Sequence, residues 1–261
     1  DHASGINLSC TDWFQQIVRC WGDRDPTFDP DQITQQDAAE FVATWFSLMR
    51  PMAFDMAWER RFEENGNVRV FDVNSTHQPI CLKFDAMLAY STTCDLTQLF
   101  NLWCQVDGMR TALLGAPPCL CIQIDRCVSD AMNNIFRSEC MIQTDEPCLV
   151  PFFQTNTLQY ETAEYHVVAL TAHLGMDRAG HIRTALRLAP SIVCTVHPAN
   201  WLLTEDWKKP EPIWDVPCWM KRHATMYWLT RADCLHLWRF RPFSPANSRA
   251  DHVSLADPEA G

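Results

Sequence analysis

Two strand-like runs, YHVVALTAHLG from Tyr165 and HIRTALRL from His181, flank a glycine-bearing turn. Apolar runs of this length on either side of such a turn predict a β-hairpin, and a chain that contains it must build a sheet around it. Other runs supply candidate strands. NVRVFDV, PICLKF and PCLVPFF read as short strands, and NWLLTEDW reads as a turn followed by one. In CLCIQIDRC, Leu120, Ile122 and Ile124 alternate with Gln123 and Asp125, the pattern of a strand with one apolar face.

The helical signals come earlier. LSCTDWFQQIVRCW, from Leu8 to Trp21, predicts an amphipathic helix with Trp13, Phe14, Ile17 and Val18 on one side. A second helix is bounded by Thr34 as a cap, Asp37 in its first turn and Pro51 as its stop. Its Ala38, Phe41, Val42, Trp45, Leu48 and Met49 form a stripe at helical spacing. A third is expected over CDLTQLFNLWCQ, starting near Asp95. Helices dominating the first half and strands the second predict an α+β class rather than an alternating α/β one. The polar, proline-bearing tail, residues 244–261, is expected to be disordered.

Composition removes several function classes. The chain carries a net charge of −11 and no lysine or arginine run, so no nucleic-acid partner is expected. No apolar stretch approaches the ~20 residues that span a bilayer, and no signal-peptide pattern opens the chain, so no membrane partner is expected. The 13 cysteines are odd in number and contain no C-x-x-C pair. That argues for free thiols in a reducing, intracellular setting and against a zinc ribbon. His166, His173 and His181 are separated by seven and eight residues, which fits no common zinc spacing. Nothing in the chain calls for a metal or another cofactor.

His181 follows Gly180 directly, at the start of a strand, where a histidine is firmly held and can open onto a cleft as a general base must. A base needs an orienting group. Glu205 and Asp206, in WLLTEDW, are expected on an adjacent strand end. Taken alone, such residues are as readily a half-buried histidine and two solvated carboxylates.

Order and context add to this. TQQDAAEF resembles the Q-Q-D-A-x-E-F signature of ubiquitin-specific proteases, the papain-like deubiquitinases. APPCLCIQIDR is similar to their L-P-x-x-L-x-I-x-L-x-R-F strand, with Cys127 where phenylalanine is usual. YHVVALTAHLG, GHIRTALR and WLLTEDW then resemble Y-x-L-x-A-V-x-x-H-x-G, G-H-Y-x-A-x-x-R and W-x-x-F-D-D, in the family's order. The five pieces cover about Leu8 to Lys209. The resemblance implies that His181 is the catalytic histidine, that Glu205 orients it and that Asp206 is the second carboxylate. It also implies that Gln36 and Asp37 line the channel for a ubiquitin tail, with His173 beside it.

The departures carry information too. Ile182 replaces the tyrosine that normally follows the histidine, and Glu205 is one methylene longer than the usual aspartate. The fingers lack their zinc-binding C-x-x-C pairs and are expected to be shortened and metal-free. Most important, the family's Cys box, roughly G-x-x-N-x-G-N-T-C-Y, lies well upstream of Q-Q-D-A, whereas only 34 residues precede Gln35 here. Cys10 opens a helix, which lowers a thiol's pKa, but it lacks the glycine-asparagine turn and Thr11 stands in place of tyrosine. The expectation is therefore an ordinary buried Cys10 and a Cys box before Asp1 in a longer parent.

The resemblance thus implies a papain-like cysteine protease fold over residues 1–243. Residues 8–60 would form a helical, thumb-like part and 66–243 an antiparallel β palm with reduced fingers. The expected function is hydrolysis of the bond after a ubiquitin-like C-terminus through a thioester. The alternatives are an inactive domain that binds ubiquitin or another protein, and an unrelated α+β interaction domain. The role of Trp214, Trp219 and Trp228 is left open by the sequence.

Overall fold

In the computed structural model the described residues are 42–43, 45–47, 52–74, 78–154, 157–176, 179–188, 200–205 and 209–237. After a 3-10 turn at Met52–Phe54, strands β1 (Trp58–Glu64) and β2 (Asn67–Asn74) form an antiparallel hairpin. Its two-residue loop is Asn65–Gly66 with φ of 52° and 75°. Positive φ at both positions is the turn whose twist matches that of the flanking strands, and Asn-Gly is the pair that best adopts it. Strand β3 (Ile80–Lys83) leads to helix α1 (Ala86–Ala89), capped by the Asp85 side chain accepting from the Leu88 amide at 2.7 Å.

Strand β4 (Thr93–Asp95) runs straight into α2 (Leu96–Cys104). Asp95 accepts from the Gln98 amide while the Gln98 side chain accepts from the Asp95 amide, a reciprocal cap that fixes the helix start. Leu96, Leu99 and Phe100 bury the inner face of α2. Strands β5 (Gln105–Val106) and β6 (Met109–Leu113) turn on Asp107–Gly108, again with both φ positive. There follow β7 (Cys119–Asp125), β8 (Cys127–Ser129), β9 (Ile135–Arg137), β10 (Met141–Gln143) and β11 (Cys148–Phe153). The chain continues through β12 (Tyr160–Met176), β13 (Ala179–Arg187), β14 (Trp201–Glu205) and β15 (Glu211–Ile213). Helix α3 (Cys218–His223) and strand β16 (Ala224–Arg231) precede a final 3-10 turn.

The main sheet has twelve strands, with β15-β14-β13-β12-β11-β6-β1-β2 as its path. A second branch runs from β12 through β16 and β7 to β3. The 17-residue β12 makes this possible: its first residues pair with β11, its last with β13, and its other edge with β16. Leu120, Cys121 and Ile122 of β7 are all fully buried, because this strand lies between β16 and β3 with both faces covered. Alternation in the sequence showed only one of those faces.

Two expectations change. The sheet is mixed rather than antiparallel, since β3 runs parallel to β7 and β11 parallel to β6. Among the described residues helices do not dominate the first half; α1 and α2 are short, and β1 to β6 fill the rest. The region after Lys209 belongs to the main sheet, because β16 is an inner strand. Trp219 and Trp228 pack against the core, whereas Trp214 is exposed. The helix expected over Leu8–Trp21 and the tail lie outside the described residues. Of the helix expected from Thr34, residues 42–43 and 45–47 are helical; Val42 of the expected stripe is buried and Trp45 half-buried, and Phe46, outside that stripe, is fully buried.

Candidate functional site

The antiparallel register of β12, β13 and β14 sets the candidate residues. Leu174 of β12 stands opposite His181, and on the adjoining rung His173 stands opposite Ile182. On the other edge of β13, Glu205 stands opposite Arg183. The register therefore brings His181 and Glu205 to one end of neighbouring strands, at positions 181 and 183 of β13, whereas His173, opposite the intervening Ile182, is at a position of the other face. The hairpin expected from the sequence is what achieves this, with β14 as the adjacent strand whose end carries the carboxylate. Asp206, Gln36, Asp37 and Cys10 lie outside the described residues.

Arg183 was not singled out by the sequence reading. It places a guanidinium-bearing residue across from Glu205 and two positions from His181. Its guanidinium lies 5.2 Å from the centre of the Trp219 ring, a cation–π distance. The signal was present in HIR, a cation two residues from the histidine on the same strand, but only the register of β14 shows what it meets.

Trp219 belongs to α3, and two buried cations hold that helix in place. Arg126, 3% exposed, donates from Nε to the Ala224 carbonyl at 2.9 Å and from Nη2 to the Lys221 carbonyl at 3.0 Å. Its Nη1 donates to the Cys140 carbonyl at 2.8 Å and to that of Ser138 at 3.4 Å. Burial lowers the Arg126 pKa, and four carbonyls compensate the charge. Lys221 donates through Nζ to Asp145 and Asp215, both at 3.1 Å. Burial works against its ammonium, but the two carboxylates prevail and raise its pKa. Arg126 directly follows β7, at the end of the run that resembles L-P-x-x-L-x-I-x-L-x-R-F, and its place is structural.

The described cysteines are free thiols. Burial pushes up the thiols of Cys94, Cys104, Cys121 and Cys148, Cys104 to about 12. Cys81, Cys119 and Cys140 are raised too, burial being again the largest cause. These seven are poor nucleophiles, because the thiolate is the reactive form. Among the described residues, no group of three metal-binding side chains stands together, and no helix is long and apolar enough to cross a membrane.

A cavity of about 480 Å³ opens at the other end of the same strands, lined among others by Arg187, Trp201, Asp145 and Asp215. Arg187 is opposite Trp201 in the register, so this cavity is separated from the 181–183 rungs by the length of β14. The histidine and carboxylate therefore stand at the far end of the strands from this cavity.

No family model matches the chain, and no curated protein matches it in sequence. Solved structures match its fold. A chain of the SAGA Ubp8/Sgf11/Sus1/Sgf73 DUB module bound to ubiquitin aldehyde superposes with a TM-score of 0.56 at 12% identity, over 84% of this chain and 53% of that one. A form of the module carrying an Ubp8 variant, bound to monoubiquitin, gives a TM-score of 0.55 at 12% identity, with the same coverage of 84% and 53%. The chain spans about half the length of these structures. At this identity the likeness is one of fold, and the fold is ubiquitin-specific-protease-like.

Proposed function

We propose that this chain is the greater part of a deubiquitinase-like cysteine hydrolase domain that engages the C-terminal tail of ubiquitin or a ubiquitin-like protein, inside the cell. The observation that carries the reading is the register placing His181 and Glu205 at the same end of β13 and β14, in a fold like that of the deubiquitinase-module chains.

In this reading a cysteine thiolate attacks the carbonyl carbon at the ubiquitin-like C-terminus. His181 gives its proton to the departing lysine amine, and a thioester remains. His181 then takes a proton from water, whose oxygen attacks the thioester and releases the thiolate. Glu205 or Asp206 orients the imidazole and stabilises its charged form. Gln36, Asp37 and His173 line the tail channel. The burial-raised thiols support an attacking group elsewhere than Cys94, Cys104, Cys121 or Cys148. No step requires a metal or another cofactor.

A second reading is a domain that binds ubiquitin without cleaving it. Ile182 and Glu205 favour it, since they stand where tyrosine and a shorter acid or amide are usual. Both readings require ubiquitin to bind. NMR titration of labelled ubiquitin with this chain is expected to shift the resonances of the ubiquitin tail, and Asp37→Ala is expected to weaken the effect. A ubiquitin probe with a thiol-reactive C-terminus is expected to leave the chain unlabelled. Labelling at Cys10 would relocate the nucleophile, and ubiquitin resonances that do not move would overturn both readings.

A further inference from the structure

Strand β2 ends one branch of the twelve-stranded sheet, and among the described residues no strand pairs with its outer edge. Every residue of it but Asn74 is exposed, including Val68, Val70, Phe71 and Val73. An apolar edge with free backbone groups is a template for another strand, and a cluster of exposed apolar side chains marks a contact surface. The sequence of that edge, NVRVFDVN, says which strand fits. Read antiparallel against itself, Val68 meets Val73 and Val70 meets Phe71. In the same register Arg69 meets Asp72, and the terminal asparagines meet each other. Each pairing recurs on the other side of a two-fold axis, so the edge matches itself in size, polarity and charge.

A symmetric antiparallel pair imposes one condition: residues opposite each other must lie on the same face of the sheet. In a regular strand only positions an even number apart share a face, and these pairs are an odd number apart. The bulge in β2 removes the obstacle. The register passes from Arg60 opposite Asp72 to Arg61 opposite Val70, leaving Phe71 as the extra residue. Val68, Val70 and Val73 consequently stand opposite Glu63, Arg61 and Glu59, alternate positions of β1, and share a face. Arg69 and Asp72 stand opposite Phe62 and Arg60 and share the other. The extra residue lies next to the axis, so it shifts both strands alike and leaves their halves in step.

The geometry points to a second copy of this chain as the partner of β2: the two strands join across a two-fold axis, with Arg69 of each copy opposite Asp72 of the other, and one sheet continues into the next.

Sedimentation equilibrium of the 261-residue chain over a concentration series tests this. The unmodified chain is expected to form a monomer–dimer equilibrium. Arg69→Asp and Asp72→Arg each put two like-charged pairs across the axis and are expected to weaken it by about ten-fold or more. Arg69 also pairs with Glu64 at 3.6 Å and Asp72 stands opposite Arg60 within the hairpin, so circular dichroism and the urea midpoint of each variant establish that the sheet is intact before its association is read. An equimolar mixture of the two variants is expected to dimerise, since each copy supplies the charge the other lacks. A chain carrying both exchanges is expected to dimerise as the unmodified one does. An unmodified chain that stays monomeric at the highest concentration would overturn the inference. So would single variants that dimerise undiminished, or a mixture that associates no better than its components.

Discussion

Glu205 stands directly opposite Arg183 across the β13–β14 pair, two positions from His181. Residues opposite each other in an antiparallel pair have their Cβ atoms about 5 Å apart, and like charges there are destabilising. Arg183→Glu would place two carboxylates across that rung and remove the cation from the Trp219 ring. The two effects together are expected to cost about 1–2 kcal/mol, read as a lower urea midpoint. Arg183→Lys keeps the charge and is expected to recover more than half of the loss. A midpoint unchanged in Arg183→Glu would show that this rung carries no electrostatic weight.

Arg126 gives a larger effect. Replacing it by methionine fills much of the space but leaves the carbonyls of Ser138, Cys140, Lys221 and Ala224 without their donor. An unpartnered buried acceptor costs about 1–3 kcal/mol, so a loss of at least about 3 kcal/mol is expected in denaturant titration. Arg126→Lys is not a rescue, because a single ammonium cannot reach carbonyls on both the 138–140 loop and α3. A loss under about 1 kcal/mol for Arg126→Met would mean that water serves those carbonyls instead.

Much of the fold around the candidate site was legible from local chemistry. The reciprocal cap of Asp95 and Gln98, the alternation in β7 and the long hairpin of β12 and β13 are each decided by residues close in sequence. Strands β1, β5 and β6 were not read from the sequence although Asn65–Gly66 and Asp107–Gly108 are turn pairs, because the runs beside them, such as WERRFEE, carry charge instead of an apolar alternation. Strand β16 was hidden for a different reason. ATMYWLTR is buried at Ala224, Met226, Tyr227, Leu229 and Thr230, on both faces, so no period marks it as a strand. The pairing of Arg183 with Glu205 depends on the register between strands joined by a long connection, and no local signal sets that. The roles of Arg126 and Lys221 were out of reach likewise, since their partners lie far along the chain.

The cysteines divide by environment. Cys127 and Cys218 are exposed, whereas Cys104, Cys121 and Cys148 are buried with their thiols pushed up. At pH 8 a thiol of pKa about 12 is about a thousand-fold poorer in thiolate than an ordinary one near 8.5. Iodoacetamide is therefore expected to modify Cys127 and Cys218 in the native chain and to reach Cys104, Cys121 and Cys148 only after urea unfolds it. Cys81 is exposed but raised, burial of its thiol being the largest cause, so it is expected to react between the two groups. Peptide mass mapping reads the order, and early modification of Cys121 would contradict the burial of β7.

Acid is expected to weaken the fold before the carboxylates titrate. His166 has a lowered pKa, first from burial and then from Arg187, with Glu164, 3.4 Å away, opposing in part. His223 is lowered by burial and by Arg137, Arg126 and Arg222, against Glu139. In the unfolded chain both titrate near the ordinary value of about 6.5. Between that value and the lower folded ones the unfolded chain binds more protons, so stability rises with pH there. Their contribution is present in full above about 6.5 and is lost as pH falls through the folded values. Urea midpoints measured between pH 7.5 and 5.5 are expected to fall in the lower half of that range. A variant carrying His166→Gln and His223→Gln cannot take up those protons, and its midpoint is expected to change less over the same range. Equal slopes in the two proteins would assign the acid sensitivity to other groups.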